Sequence, residues 1–222
     1  MATKKTETII EIKPIKLETV RIDIVGDSPL IVHAWSEKAK RMMLDKQMKT
    51  ATSSGREAKN PVEDFINSMY WLTEKPTQYT EDAFADAISK GARFGFPVTG
   101  IKQSAISGAF RAGVAKDKVS LRGAFFITGV GTDDPQMAEI ISNIPEMRED
   151  MVRVGMGTAD IRYRGEFSNW RIRLNLTYNA NGQYSLDQIL TMLNLGGFAV
   201  GLGEWRPEHD GQYGMYHIET AE

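Results

Sequence analysis

From Leu17 to Val25, apolar Val20, Ile22 and Ile24 alternate with Arg21 and Asp23, the period of a strand with one buried face. Gly26-Asp27-Ser28-Pro29 predicts a turn, and Leu30-Ile31-Val32 follows as a short apolar run. Ser36 is placed to cap a helix reaching about Met48, with Glu37 in its first turn. Thr50 to Asn60 is polar and predicts a mobile loop, and Pro61 can open a helix through Tyr70. Thr80-Glu81-Asp82 begins a further helix, Ala83 to Ala92. Phe94 to Pro97 predicts a short strand. Ile101 to Ala115 predicts a helix whose Ala105, Ser107, Gly108, Ala109 and Ala112 allow close packing. Leu121 to Val130 is strand-like, and Asp133 to Met147 predicts either a helix or an irregular excursion.

Met151–Val154 and Thr158–Arg164 read as a hairpin around Gly155-Met156-Gly157. From Ser168 to Tyr178, Trp170, Ile172, Leu174 and Leu176 alternate with Arg171, Arg173 and Asn175. Asn181-Gly182 is a turn, and Ser185 caps a helix from Leu186 to about Leu195. A glycine-rich stretch, Gly196 to Gly214, then leads into an alternating strand, Tyr213 to Ile218. The first part thus reads strand, long insertion, helix, strand; the last reads strand, helix, glycine loop, strand. Two β–α–β halves predict an α+β, ferredoxin-like βαββαβ core with an inserted helical lobe and a β-hairpin. Residues 1–15 predict a flexible tail, and residues 16–222 a single domain with insertions at about 36–80 and 129–165.

At 222 residues, 41% hydrophobic and 25% charged, the composition is that of a soluble globular domain with enough chain for a substantial core. The absence of cysteine excludes disulfides and thiolate metal sites. No apolar run approaches a membrane span, and Met1 to Thr8 carries no signal-peptide core, so a cytoplasmic protein is expected. The net charge is only −2, but cations are clustered. Residues 90–122 set Lys90, Arg93, Lys102, Arg111, Lys116, Lys118 and Arg122 against Asp117 alone. Residues 36–59 set Lys38, Lys40, Arg41, Lys46, Lys49, Arg56 and Lys59 against Glu37, Asp45 and Glu57. Such segregation predicts one positive face, able to attract phosphate even on a near-neutral protein, unless folding disperses it.

Enzyme signatures are sparse. The histidines, His33, His209 and His217, are isolated, and no metalloprotease motif, nucleophile elbow or Walker lysine motif occurs. His209 beside Asp210 is either a polarised base or ordinary surface. Asp133-Asp134 and Glu149-Asp150 are either Mg²⁺ ligands or solvated acids. Neither pattern defines a metal or cofactor site, and none is expected. Gly201-Leu-Gly-Glu-Trp-Arg206 lacks the third glycine of a dinucleotide fingerprint. Its glycines either offer backbone N–H groups to phosphate or simply turn the chain. Arg162 and Arg164, like Arg171 and Arg173, share a strand face by their two-residue spacing. This arginine stripe is either a surface that tracks a nucleic-acid backbone or a solvated sheet face.

Phe96-Pro-Val-Thr-Gly-Ile-Lys-Gln-Ser-Ala-Ile-Ser-Gly-Ala-Phe-Arg111, with the glycine-rich loop Gly196 to Gly214, resembles the RAMP superfamily, the RNA-coating backbones and processing nucleases of CRISPR systems. The first segment is similar to that family's proline/glycine-led helix ending in Gly-Ala-x-Arg; the loop carries Glu-Trp-Arg-Pro where the family is more basic. Stretches such as Asp27-Ser-Pro-Leu-Ile-Val-His33, Leu121-Arg-Gly-Ala-Phe-Phe126 and Arg153–Gly165 resemble phage and prophage proteins. Together these resemblances imply a non-catalytic phage protein, in the bacterial host's cytoplasm, that assembles head to tail along single-stranded RNA or DNA as a helical filament. They place Lys102 and Arg111 beside the strand and Arg206, Gly201 and Gly203 in the glycine loop. The basic helix with Lys38, Lys40, Arg41 and Lys46, and the hairpin, become insertions that reach over the strand to the next copy. The alternatives are a protein-binding anti-defence factor and a RAMP-type endoribonuclease using His33 or His209.

Overall fold

The computed structural model describes residues 14–35, 37–48, 58–154 and 157–220. Most of the expected tail, the Ser36 cap, most of the expected Thr50–Asn60 loop and Gly155-Met156 lie outside the described residues. In chain order the strands are β1 (Leu17–Gly26), β2 (Leu30–Val32), β3 (Tyr70–Trp71), β4 (Phe94–Pro97) and β5 (Phe125–Gly129). They continue as β6 (Met137–Ile141), β7 (Glu146–Val154), β8 (Thr158–Phe167), β9 (Arg171–Asn179) and β10 (Tyr216–Thr220). The helices are α1 (Glu37–Gln47), α2 (Pro61–Ser68), α3 (Glu81–Ser89), α4 (Val98–Arg111), α5 (Lys118–Arg122) and α6 (Leu186–Ala199).

The fold is α+β, and its sheets are antiparallel. Alternation places the larger sheet. Ile22 and Ile24 on β1 and Ile172, Leu174, Leu176 and Tyr178 on β9 are buried on one face. β1 pairs with both β9 and β10, and β9 carries β5 on its C-terminal half and β6 at its start. The full order is β10-β1-β9-β6-β4-β3, with β5 beside β9. β2, β8 and β7 make a second, three-stranded sheet. Apolar residues of both sheets join one core.

Helix α4 lies against β5, α6 against β10, and the two helices pack on each other. Their crossing is backbone on backbone. A Cβ at Gly108 would fall 2.5 Å from the Gly196 nitrogen, and a Cβ at Gly196 only 2.6 Å from the Ala105 nitrogen. The small residues of α4 therefore do what their spacing predicts. Ser185 and Gln188 close a capping box at the start of α6, and Asn60 and Thr80 cap α2 and α3.

The structure corrects three boundaries. Within Asp133–Met147 the regular element is a strand, β6, not a helix: Ala138 and Ile140 point into the core and pair with β4 and β9. Its five-residue alternation is too short to stand out without those neighbours. The strand expected from Leu121 begins only at Phe125, because Asp117 accepts from the Ser120 N–H and caps the short helix α5 first. Gly196 and Gly197 belong to α6 and not to a loop. Close approach, to α4 and to the Tyr216 carbonyl respectively, explains why both are glycine.

Candidate nucleic-acid interface

Lys102, Ile106 and Phe110 recur every four residues along α4 and so share one flank of the helix. Ile106 is buried, which turns that flank toward the β5 edge of the sheet. The ammonium of Lys102 sits 4.4 Å from the ring centre of Phe126 and 5.5 Å from that of Phe125. At the start of α5, Lys118 Nζ lies 5.6 Å from the Phe110 ring centre and donates to Ser107 Oγ at 3.2 Å. Phe125 is fully buried, but Phe126 is 59% and Phe110 40% exposed. Desolvation holds the Lys102 ammonium below the usual lysine range. Among the described residues, no carboxylate lies within ion-pair distance of Lys102, Lys116, Lys118 or Arg122. The flank thus presents two lysine–aromatic pairs whose charge no acid neutralises, with exposed ring surface beside them.

The arginine stripe is different. Arg171 and Arg173 both face outward from β9, and both converge on Asp23 across the β1 pairing. Arg173 grips it with two bonds of 2.8 and 2.9 Å, and Arg171 also reaches Glu219 at 3.0 Å. Asp23 is 1% exposed, and the Arg173 hydrogen bonds hold its carboxyl below the usual range, with Arg171 adding to the effect. Arg162 turns back to Asp160 at 3.3 Å. Arg164 is 4% exposed, between Asp150 at 3.2 Å and Glu204 at 3.4 Å; its Nε has no hydrogen-bond partner among the described residues. Arg148 joins Asp150 and Glu166 and lies 4.5 Å over the Tyr213 ring. The two-residue spacing lies on strands β8 and β9, but a carboxylate engages each of these arginines, on a neighbouring strand for Arg171 and Arg173 and on its own strand for Arg162.

The glycine loop folds on itself and on the β1–β2 turn. Leu202 N–H donates to Gly214, Glu204 to Ile31, Tyr213 to Trp205 and Gly214 to Pro29, all within 3.0 Å. Gly203 has φ +70°, and a Cβ there would fall 2.1 Å from the Ile31 carbonyl; Gly201 is likewise left-handed at φ +71°. Arg206 is held by the Gly203 carbonyl and by Glu208, which also receives Arg111 at 2.8 Å. Glu204 sits 3.4 Å from His33 Nδ1. The His33 hydrogen bond and the Arg164 charge hold its carboxyl below the usual range against the opposing effect of burial. Trp205, between them, adopts φ +51°, a strained conformation for a bulky residue. Around this turn opens a cleft of about 220 Å³, lined by the loop, His33, Tyr70, Phe96 and the first turns of α4.

Lys40, Arg41 and Lys46 lie exposed on α1, among exposed Met42, Met43, Leu44 and Met48; the Lys38 side chain lies outside the described residues. The expected site residues therefore fall in separate places: α1, the open sheet face, the hairpin sheet, and α4 with the glycine loop. Tertiary contacts unite Arg111 with Arg206 through Glu208, and Arg164 with the loop through Glu204. Beside Lys102, the flank adds Phe110 and Phe126, which sequence reading did not single out, and Lys118, which it named only within the basic cluster. The spacing of Lys102 and Phe110 was a usable signal; which ring of Phe125-Phe126 faces solvent was not. No family model matches the chain, and comparison with curated proteins finds no match. No helix among the described residues is long and apolar enough to cross a membrane.

Proposed function

We propose that this chain is a non-catalytic, single-stranded nucleic-acid-binding protein of phage type that lines up head to tail along RNA or DNA. The observation that carries this reading is the α4 flank: Lys102 over Phe126 and Lys118 over Phe110, with no carboxylate partner among the described residues. Single strands need cations for phosphates and flat apolar surface for bases, and this flank offers both within one helix length. We further propose a ferredoxin-like, RAMP-like core made of β1, α4, β5, β9, α6 and β10. The antiparallel order β10-β1-β9-β5, with α4 and α6 packed together, supports it. The arginines of β8 and β9 then hold the scaffold, and the α4 flank contacts the strand.

Fluorescence anisotropy with labelled single-stranded RNA, single-stranded DNA and duplex tests the reading. Replacing Lys102 and Phe126 together by alanine should weaken single-strand binding at least about tenfold. Both side chains are part-exposed, so the urea midpoint should move little. Unchanged affinity in the folded double variant contradicts the assignment of the flank. No binding by the wild-type chain even at low salt contradicts the function and turns attention to protein partners. Negative-stain images of the saturated complex should contain filaments.

A further inference from the structure

The cleft beside the glycine loop has a chemistry of its own. On one side stand Tyr70 and Phe96, edge to face at 6.4 Å. On another, Gly100 and Gln103 belong to the first two turns of α4, and Gly100 adds no side chain. Glu204, Arg206 and Glu208 of the glycine loop also line it. Each of these carboxylates is already engaged by two basic side chains: Glu204 by Arg164 and His33, Glu208 by Arg111 and Arg206. A phosphate entering here would meet two carboxylates, and a free cation would meet the guanidiniums. A neutral ligand carrying donors and acceptors on an apolar plane meets neither penalty. Its edge can be read by the Gln103 amide, which offers both an acceptor and two donors. At about 220 Å³ the space is smaller than the roughly 300–1,000 Å³ of drug-sized sites.

We propose that this cleft takes a single nucleobase turned out of the bound strand, with aromatic contact from Tyr70 and Phe96 and edge contact from Gln103. The inference rests on the single-strand reading for the source of the base. It differs from that reading in its site: Gln103 and Ser104 line the cleft, and Lys102 faces the β5 edge.

The test uses a single-stranded oligonucleotide carrying one 2-aminopurine, whose emission responds to stacking, together with anisotropy on the same sample. Gly100→Leu should fill the cleft; the added Cβ falls 3.1 Å from the Phe96 ring, which must give by a few tenths of an ångström. The expected result is an emission change on binding to the wild-type chain, lost in Gly100→Leu, with affinity reduced about tenfold. Should Gly100→Leu fail to fold, Gln103→Trp, at an exposed position, serves the same purpose. Tight binding with identical emission and affinity in wild type and plugged variant overturns the base site and leaves strand binding standing. If no strand binds, the single-strand reading fails, and the cleft is examined with free adenosine and guanosine by ligand-observed NMR. Line broadening present in wild type and absent in the plugged variant then supports a base site. Its absence in both overturns the site as well.

Discussion

Asp23 condenses much of what happens on the open sheet face. It is a buried carboxylate that two arginines from the neighbouring strand require, and it requires them in turn. Its carboxyl is held below the usual range, so the folded state keeps the charge to lower pH than the unfolded chain does. A depressed folded-state pKa gives stability that is complete above the unfolded value, about 4, and is lost as pH falls through the folded value. Asp23→Asn should therefore cost about 2 kcal/mol at pH 7 in urea unfolding. The difference from wild type should shrink progressively once the pH drops below about 4. A gap that stays constant from neutral to strongly acid pH would mean that the Arg173 pairing does not stabilise the fold. Glu204 is held down in the same direction by His33 and Arg164, so wild-type stability as a whole should also fall in acid.

Between elements, the decisive contact is the crossing of α4 and α6. Gly108 and Gly196 bring the two backbones together, and Gly197 brings α6 onto β10. Neither of the crossing glycines needs a left-handed conformation; each is required because a neighbouring backbone occupies the place of a side chain. Adding one methyl group at Gly196 must push the helices apart. Gly196→Ala is expected to destabilise by about 1–3 kcal/mol, as overpacking does in well-packed cores. Thermal and urea denaturation measure it. The same substitution at Gly123, where a Cβ meets nothing within 4 Å and the backbone is right-handed, should be close to neutral. Equal costs at the two positions would contradict the close crossing. Residue types alone did announce this contact on α4, as a run of small side chains. On α6 the glycines merged with the loop that follows, because helix continuation through Gly-Gly depends on packing that a sequence window does not contain.

Over the whole molecule, the clustered charges are sorted by their partners. Arg148, Arg164, Arg171 and Arg173 meet acids distant in sequence, Arg162 meets Asp160 two residues away on its own strand, and the loop arginine Arg206 meets Glu208, which also holds Arg111. The cations of residues 102–122 other than Arg111 lie without carboxylate partners among the described residues. Binding to a single strand should be salt-sensitive chiefly through that segment. Counterion release gives a slope near −0.7 per neutralised phosphate for single strands. Lys102→Ala with Lys118→Ala should therefore reduce the salt slope of binding by about 1.4, measured by anisotropy from low to physiological salt. Arg173→Ala should leave the slope unchanged and lower stability instead; the opposite pattern would put the strand on the open sheet face.

The α+β class, the faces of β1 and β9, the Ser185 cap and the hairpin were determined by sequence, because each follows from local periodicity or a capping side chain acting within a few residues. Tertiary structure decided the rest. Asp23 and Arg173 are 150 residues apart, and Arg148 and Arg164 share a carboxylate that no spacing connects to Glu204. A cation's availability depends on which acids folding brings beside it, and that is a long-range property. The same holds for the cleft, whose lining comes from separated stretches of chain: His33, Tyr70, Phe96 with the first turns of α4, and the glycine loop. Sequence named the cations; only the folded chain distinguished those paired with acids from those without a carboxylate partner among the described residues.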